Sequence, residues 1–332
     1  MSVIAKTYRG NVVDLTHIGH IAVVDYTGKI LYQYGNPERI TFARSSTKPI
    51  QAIPVLESGA VKNYGITDRE IAIFCASHNG ESFHVDAVRS ILKKAGLNEQ
   101  YLQCGSHYPL ASYVRKELKS KGLKPENIHC NCSGKHSGML ITAKYLGEDL
   151  NTYYKLEHPV QKRIMKTISE ICEYDEDKIL TAIDGCGVPV HAMPLYKFAQ
   201  GFAKLSKPEV FSPRREKVVR KITNAMTKYP EMVGGTDRIC TDLMKVCGDK
   251  LFAKSGAAAY YAVGIKDKGI GITFKIEDGN SKIMPAVVLE TLRQLEIITN
   301  DELKKLEKYY VLKIKNNKEE IVGETKVEFK LV

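Results

Sequence analysis

Ser45 and Lys48 stand three residues apart in the run Arg44-Ser45-Ser46-Thr47-Lys48-Pro49. Positions i and i+3 of a helix share a face, so the amine can reach the hydroxyl. Serine is a weak nucleophile at neutral pH. A lysine serves as its base only when burial or a second cation drives the ammonium pKa toward neutrality. Taken alone, the spacing equally describes a helix N-cap followed by a solvated lysine. Ser77-His78-Asn79 and Lys254-Ser255-Gly256 supply a second couple, Ser77 with Lys254, whose cation would help hold Lys48 neutral. Two such couples make a site for acyl transfer. Two loops add further groups. Asn131-Cys132-Ser133-Gly134-Lys135-His136 brings a thiol, an amine and an imidazole together, and Asp184-Gly185-Cys186-Gly187 sets a carboxylate beside a thiol. Cys132 and Cys186 are therefore ligand candidates.

The order of the three serine–lysine fragments resembles S-x-x-K, S-D-N and K-T-G of penicillin-binding proteins and class A β-lactamases. The elements that must position them can be read from pattern. Residues 20–34 read as a hairpin turning at Tyr26 to Lys29. Pro49 suits the first turn of a helix running to Gly59. Thr67 and Asp68 start a helix that delivers Ser77 at its end. Helices follow at about 81–95, 111–121, 136–146, 158–173, 193–204, 213–228 and 236–247. The polar loop Met232 to Arg238 opens the last of these; there Asp237 and Arg238 read as an N-cap and a surface ion pair, or as neighbours of the site. This middle region almost lacks strand signals. Strands return at 251–254, 260–265 and 269–276, helices at 284–296 and 301–309, and strands at 310–315 and 318–331. The expected fold is α/β and β-lactamase-like. Its mostly antiparallel sheet is built from about 1–40 and 250–332, with a helical lobe over about 49–249 inserted, in a single catalytic domain spanning 1–332.

Composition narrows the function classes. A hydrophobic content of 43% and a charged content of 26% are those of an ordinary globular chain. No apolar run approaches the roughly 20 residues that span a bilayer, and the N-terminus lacks a signal-peptide core. The chain reads as cytoplasmic, with no membrane partner. A net charge of +11 invites a nucleic-acid reading. The lysines, however, are interleaved with glutamates and form no block of like charge, so no nucleic-acid partner is expected. Eight cysteines in a chain without a leader argue against a disulfide framework.

With these residues in hand, the chain resembles the rhizobial-type L-asparaginases, the asparaginase II family. The resemblance rests on S-x-x-K-P (Ser45, Lys48, Pro49), S-H-x-G-E (Ser77, His78, Gly80, Glu81), C-S-G-K-H (Cys132 to His136), D-G-C-G-x-P (Asp184 to Pro189) and K-x-G-A (Lys254, Gly256, Ala257). It implies an amidohydrolase converting L-asparagine to L-aspartate and ammonia. Ser45 would be the nucleophile, Lys48 its base, and Ser77 and Lys254 a second couple relaying protons. Arg44, His136 and Asp184 would hold the amino-acid end of the substrate, with His78 and Asn79 beside them. Cys132, Lys135 and Cys186 would bind an accessory zinc ion; no organic cofactor is implied, and a homodimer is. One departure stands out: Ala258 and Ala259 follow K-x-G-A, where the family often has an acidic residue and a glycine. Other serine hydrolases on the same scaffold, a glutaminase or a penicillin-recognising enzyme, are the nearest rivals. A non-catalytic, zinc-stabilised basic binding protein is a more distant one.

Overall fold

A computed structural model describes residues 2–332. Four strands come first: β1 (Val3–Arg9), β2 (Val12–Asp25), β3 (Ile30–Tyr34) and β4 (Ile40–Phe42). A 3-10 turn over Arg44–Thr47 leads into α1 (Lys48–Glu57), α2 (Ala60–Asn63), α3 (Asp68–Phe74), α4 (Ser82–Lys94), α5 (Ser112–Ser120), α6 (Ser133–Leu146) and α7 (Pro159–Cys172). Next come β5 (Leu180–Ile183), β6 (Pro189–Pro194), α8 (Leu195–Ser206), α9 (Pro213–Lys228), α10 (Pro230–Val233) and α11 (Ile239–Cys247). The chain continues through β7 (Leu251–Gly256), β8 (Tyr260–Ile265), β9 (Ile270–Ile276), α12 (Met284–Gln294), α13 (Asn300–Lys305), α14 (Glu307–Tyr310), β10 (Leu312–Lys315) and β11 (Ile321–Val327). It packs as two compact units, Met1–Ser46 with Met193–Ser206 and Asp242–Val332, and Thr47–Ala192 with Lys207–Thr241.

The first unit is built on an antiparallel sheet in the order β10-β11-β1-β2-β9-β8-β7, with β3 also pairing β2. Strands from both ends of the chain are thus neighbours: Ala5 faces Val327 and Tyr8 faces Glu324. This is the mixed α/β, mainly antiparallel architecture expected. The N-terminal hairpin is larger than the pattern reading allowed, because β2 begins at Val12 and β1 precedes it. Gly10-Asn11 between them is a two-residue hairpin signal, and Gly10 takes a left-handed φ of 56°. The inner half of β2, Ile21 to Val24, is fully buried. Helix α8 packs across β2, β8 and β9. It lies so close that a Cβ on Gly271 would stand 1.9 Å from the Ala199 carbonyl oxygen.

The second unit is mainly helical. Helix α1 packs against α3, α6, α7 and α9, and every residue from Lys48 to Val55 is buried. Its lysine is therefore carried indoors by the helix rather than left at the surface. The expectation of an almost strandless middle fails at β5 and β6, which pair antiparallel with Thr181 opposite His191. β6 is buried along its whole length and bounded by prolines. Alternation is absent from such a strand, and proline argues against strand pairing, so the pattern hides it.

Helix α3 shows how the unit holds the Ser77 loop in place. Thr67 and Glu70 form a reciprocal capping box. The Glu70 carboxylate also accepts from Lys94 Nζ at 2.6 Å and from Ser90 Oγ at 2.7 Å. Burial alone would raise its pKa, but the hydrogen bonds from Lys94, Thr67 and Ser90 outweigh this and hold it below the usual carboxylate range. A depressed folded-state pKa means stability present above the unfolded value and lost as pH falls through the folded one. Glu70→Gln is expected to cost about 1 kcal/mol at pH 7. The gap from wild type in urea melts should close well below pH ~4, where the wild-type carboxyl is itself neutral.

Candidate active site

In the second unit, Lys48 Nζ lies at the start of α1 and donates to Ala76 O at 2.5 Å, to Ser77 Oγ at 3.0 Å and to Cys132 Sγ at 3.2 Å. Lys48 is 1% exposed. Helix α3 ends just before Ser77, and the backbone N–H of Ser77 donates to Val233 O at 3.0 Å, fixing the hydroxyl over the amine.

Cys132 caps α6. This helix begins three residues earlier than the pattern placed it, at Ser133, because Gly134 and Gly138 allow it to press on α3. A Cβ on Gly134 would stand 2.3 Å from Ile73 O, and one on Gly138 would stand 3.0 Å from Phe74 Cδ1. That approach aims Ser133, Lys135 and His136 into the interior, all of them buried. Lys135 Nζ donates to Cys186 Sγ at 3.3 Å, linking the two loops. Hydrogen bonds from the Cys130 and Cys186 thiols hold Cys132 well below the usual thiol range against its burial, helped by the charges of Lys48 and Lys135. Cys130 and Cys186 are pushed upward in return, Cys130 by its hydrogen bonds with Cys104 and Cys132 and Cys186 by its hydrogen bond with Cys132 and by burial. Burial disfavours charge on Lys135, but Cys186, Cys132 and Asp184 hold its pKa above the ordinary amine range.

Two thiols and an amine in contact are a possible donor set for zinc, with room in a tetrahedral shell for one water. The condition is that Lys135 gives up its proton, so affinity would rise with pH. Among the described residues no cluster of three or more His, Cys, Asp or Glu side chains could hold a metal, so any such site depends on the lysine.

The remaining residues of this unit divide by what they have left to offer. His78 uses both ring nitrogens: Nδ1 accepts from Gly80 N at 3.1 Å, so Nε2 carries the proton and donates to Ser133 Oγ at 2.8 Å. Asn79 donates from Nδ2 to Thr236 O at 2.9 Å and accepts from Arg238 Nη1 at 3.2 Å. Glu81, buried beneath them, accepts from Thr236 N and from the Tyr113 hydroxyl, each at 2.9 Å. His78, Asn79 and Glu81 therefore tie the Ser77 loop to residues 234–238. His136 differs: Nδ1 meets the Tyr153 hydroxyl at 2.7 Å, while the buried Nε2 has no protein partner. Burial, then Lys135 and Lys48, keep its pKa well below the imidazole range despite Cys132. Asp184 is half-buried at a tight turn, where Gly187 N donates to its carbonyl at 2.9 Å and Gly185 N to its carboxylate at 2.9 Å.

In the first unit, Ser45 is half-buried in the 3-10 turn Arg44–Thr47. Arg44 holds a left-handed φ of 52°, a strained conformation for a residue with a side chain, immediately before the candidate nucleophile. Ser46 Oγ donates to Lys254 O at 2.8 Å, which ties this turn to β7. Gly256 lets the two approach, since its Cβ would stand 2.6 Å from Ala43 O. Lys254 is 1% exposed, with Nζ donating to Ser255 O at 2.7 Å. Ala258 and Ala259 both take left-handed φ values, 55° and 51°, a backbone that favours glycine. Glu81 and Tyr153 were not singled out from the sequence. The S-H-x-G-E motif contains the first; nothing local marks the second.

The first unit defines the broad class, an α/β protein with an antiparallel sheet assembled from both chain ends. Solved structures similar to the chain include a β-lactamase from Mycobacterium bovis, with 11% identity, a TM-score of 0.43 and coverage of 83% of this chain and 94% of that one. A protein of Bacteroides dorei DSM 17855 described as a candidate β-lactamase is similar at 11% identity, with a TM-score of 0.44 and coverage of 83% and 93%. No curated protein sequence matches the chain. The family model for L-asparaginase II matches residues 5–327, and the chain belongs to that family.

Proposed function

We propose that the protein is an amidohydrolase that converts L-asparagine to L-aspartate and ammonia through an acyl-enzyme. One observation carries the reading: in a chain of the L-asparaginase II family, a fully buried lysine amine, Lys48 Nζ, sits 3.0 Å from a serine hydroxyl, Ser77 Oγ, at the start of a helix that Ser45 precedes by three residues. Ser45 Oγ attacks the side-chain amide carbon as Lys48 takes its proton. Backbone N–H groups stabilise the tetrahedral oxyanion. The C–N bond then breaks, and the leaving nitrogen takes its proton from Lys48 through Ser77, with Lys254 adding positive charge. Water, deprotonated by the same lysine, cleaves the β-aspartyl ester and returns the proton to Ser45. His136, Arg44 and Asp184 bind the α-carboxylate and α-ammonium. His78 and Asn79 hold the loop that carries Ser77.

Cys132, Lys135 and Cys186 would hold an accessory zinc ion, which when bound supplies positive charge beside the substrate and ties two loops together. The two units act as one catalytic domain, and the enzyme works as a cytoplasmic homodimer. Eight buried cysteines without a disulfide support the reducing compartment. Among the described residues no helix is long and apolar enough to cross a membrane.

Ammonia release is the test, measured for L-asparagine, L-glutamine and a chromogenic β-lactam in parallel, with and without added zinc. Asparagine should be hydrolysed fastest. Turnover of glutamine or the β-lactam alone would move the reading to the corresponding hydrolase. Absence of all three activities, with salt-dependent nucleic-acid binding instead, would make the protein a binding module.

A further inference from the structure

Tyr153 lies in the segment between α6 and α7 and has no exposed surface. Its carbonyl is held by Gln161 Nε2 at 2.8 Å, and its ring stands edge-on to His136, 83° between planes and 5.5 Å between centroids. The phenol oxygen accepts the backbone N–H of Gln103 at 2.9 Å. The 2.7 Å contact from that oxygen to His136 Nδ1 then has one economical reading. The phenol hydrogen points at Nδ1, Nδ1 accepts, and the single proton of the neutral imidazole sits on Nε2. Nε2 is buried and meets no protein acceptor. A buried donor left open in this way is costly unless a ligand completes it.

We propose that Tyr153 is a positioning residue that locks His136 as its Nε2–H tautomer, so that one fixed, uncharged donor meets a carboxylate oxygen of the amino-acid substrate. The proposal deepens the asparaginase reading and rests on it for the identity of that oxygen. Gln103 belongs to the same relay, because its N–H occupies the phenol lone pair and commits the phenol hydrogen to the histidine. The pair gives specificity a physical basis. A donor-only nitrogen favours a ligand presenting an acceptor there and rejects one presenting an N–H donor.

The tautomer can be read without turnover. Full-length protein labelled with 15N-histidine, with His136 assigned through His136→Gln, should show a protonated Nε2 and a bare Nδ1 in long-range proton–nitrogen correlations at neutral pH. Tyr153→Phe, which keeps the ring, should lose the single tautomer. It should raise the KM for asparagine about tenfold while kcat stays within about threefold. A wild-type Nδ1–H tautomer overturns the proposal, whether or not the variant folds. So does a folded Tyr153→Phe that keeps both the tautomer and the wild-type KM. Loss of the tautomer with an unchanged KM removes the role toward substrate. Wild-type protein that hydrolyses no asparagine overturns the functional reading instead, and the nitrogen spectra still decide the relay.

Discussion

Ser45→Ala is expected to lower asparagine hydrolysis by about 10³-fold or more, with the circular dichroism and melting temperature unchanged. The acyl-enzyme route requires an oxygen that can form an ester, and alanine has none. Lys48→Met should cost a similar factor, because a nucleophile and its base act as a unit and lose their effects together rather than in sum. The double variant should therefore be little slower than either single one. Lys48→Met carries a second signature. The amine it removes serves Ala76 O, Ser77 Oγ and Cys132 Sγ at once, so its loss leaves buried acceptors unserved and should lower stability as well. Ser45→Ala that retains near-wild-type ammonia release would dismiss Ser45 as nucleophile.

Gly134→Ala should lower stability by about 3 kcal/mol or more, read as a shift in urea midpoint. The added carbon would meet Ile73 O at 2.3 Å, and a backbone carbonyl cannot swing aside as a flexible side chain can. Helices α3 and α6 would have to separate, and they carry Ser77 and the Cys132–Lys135–His136 group respectively. Gly185→Ala is the control: nothing lies within 4 Å of its added carbon, so its urea midpoint should hold to within about 0.5 kcal/mol.

How far these features could be read from sequence depends on the range of the interaction behind them. Local chemistry was legible. Pro49 announced the first turn of α1, Thr67 and Asp68 the start of α3, and the β-rich runs 260–265 and 269–276 two of the sheet strands. Choice of partner was not. The hydrogen bond from Lys48 to the Ser77 hydroxyl joins residues 29 positions apart, and its reach depends on where α3 ends against α1. The His136–Tyr153 contact spans 17 positions with no motif, because packing between α6 and the following segment creates it. β6 stayed hidden for the opposite reason, since a strand buried on every side has no polar face to set a rhythm.

The closed seam of the sheet has a consequence for synthesis. Thr7 on β1 bonds Thr325 on β11 across 318 positions of chain, and β2 likewise waits for β9. While the ribosome is still translating the intervening segments, the first two strands have only each other and β3. Helical stretches close by local contacts and are quick to settle, whereas pairings this distant are slow. The nascent ribbon of β1 to β3, with Ile4 and Ile21 to Val24 not yet covered as they are in the finished fold, is therefore a stretch in need of shielding until the last strands arrive.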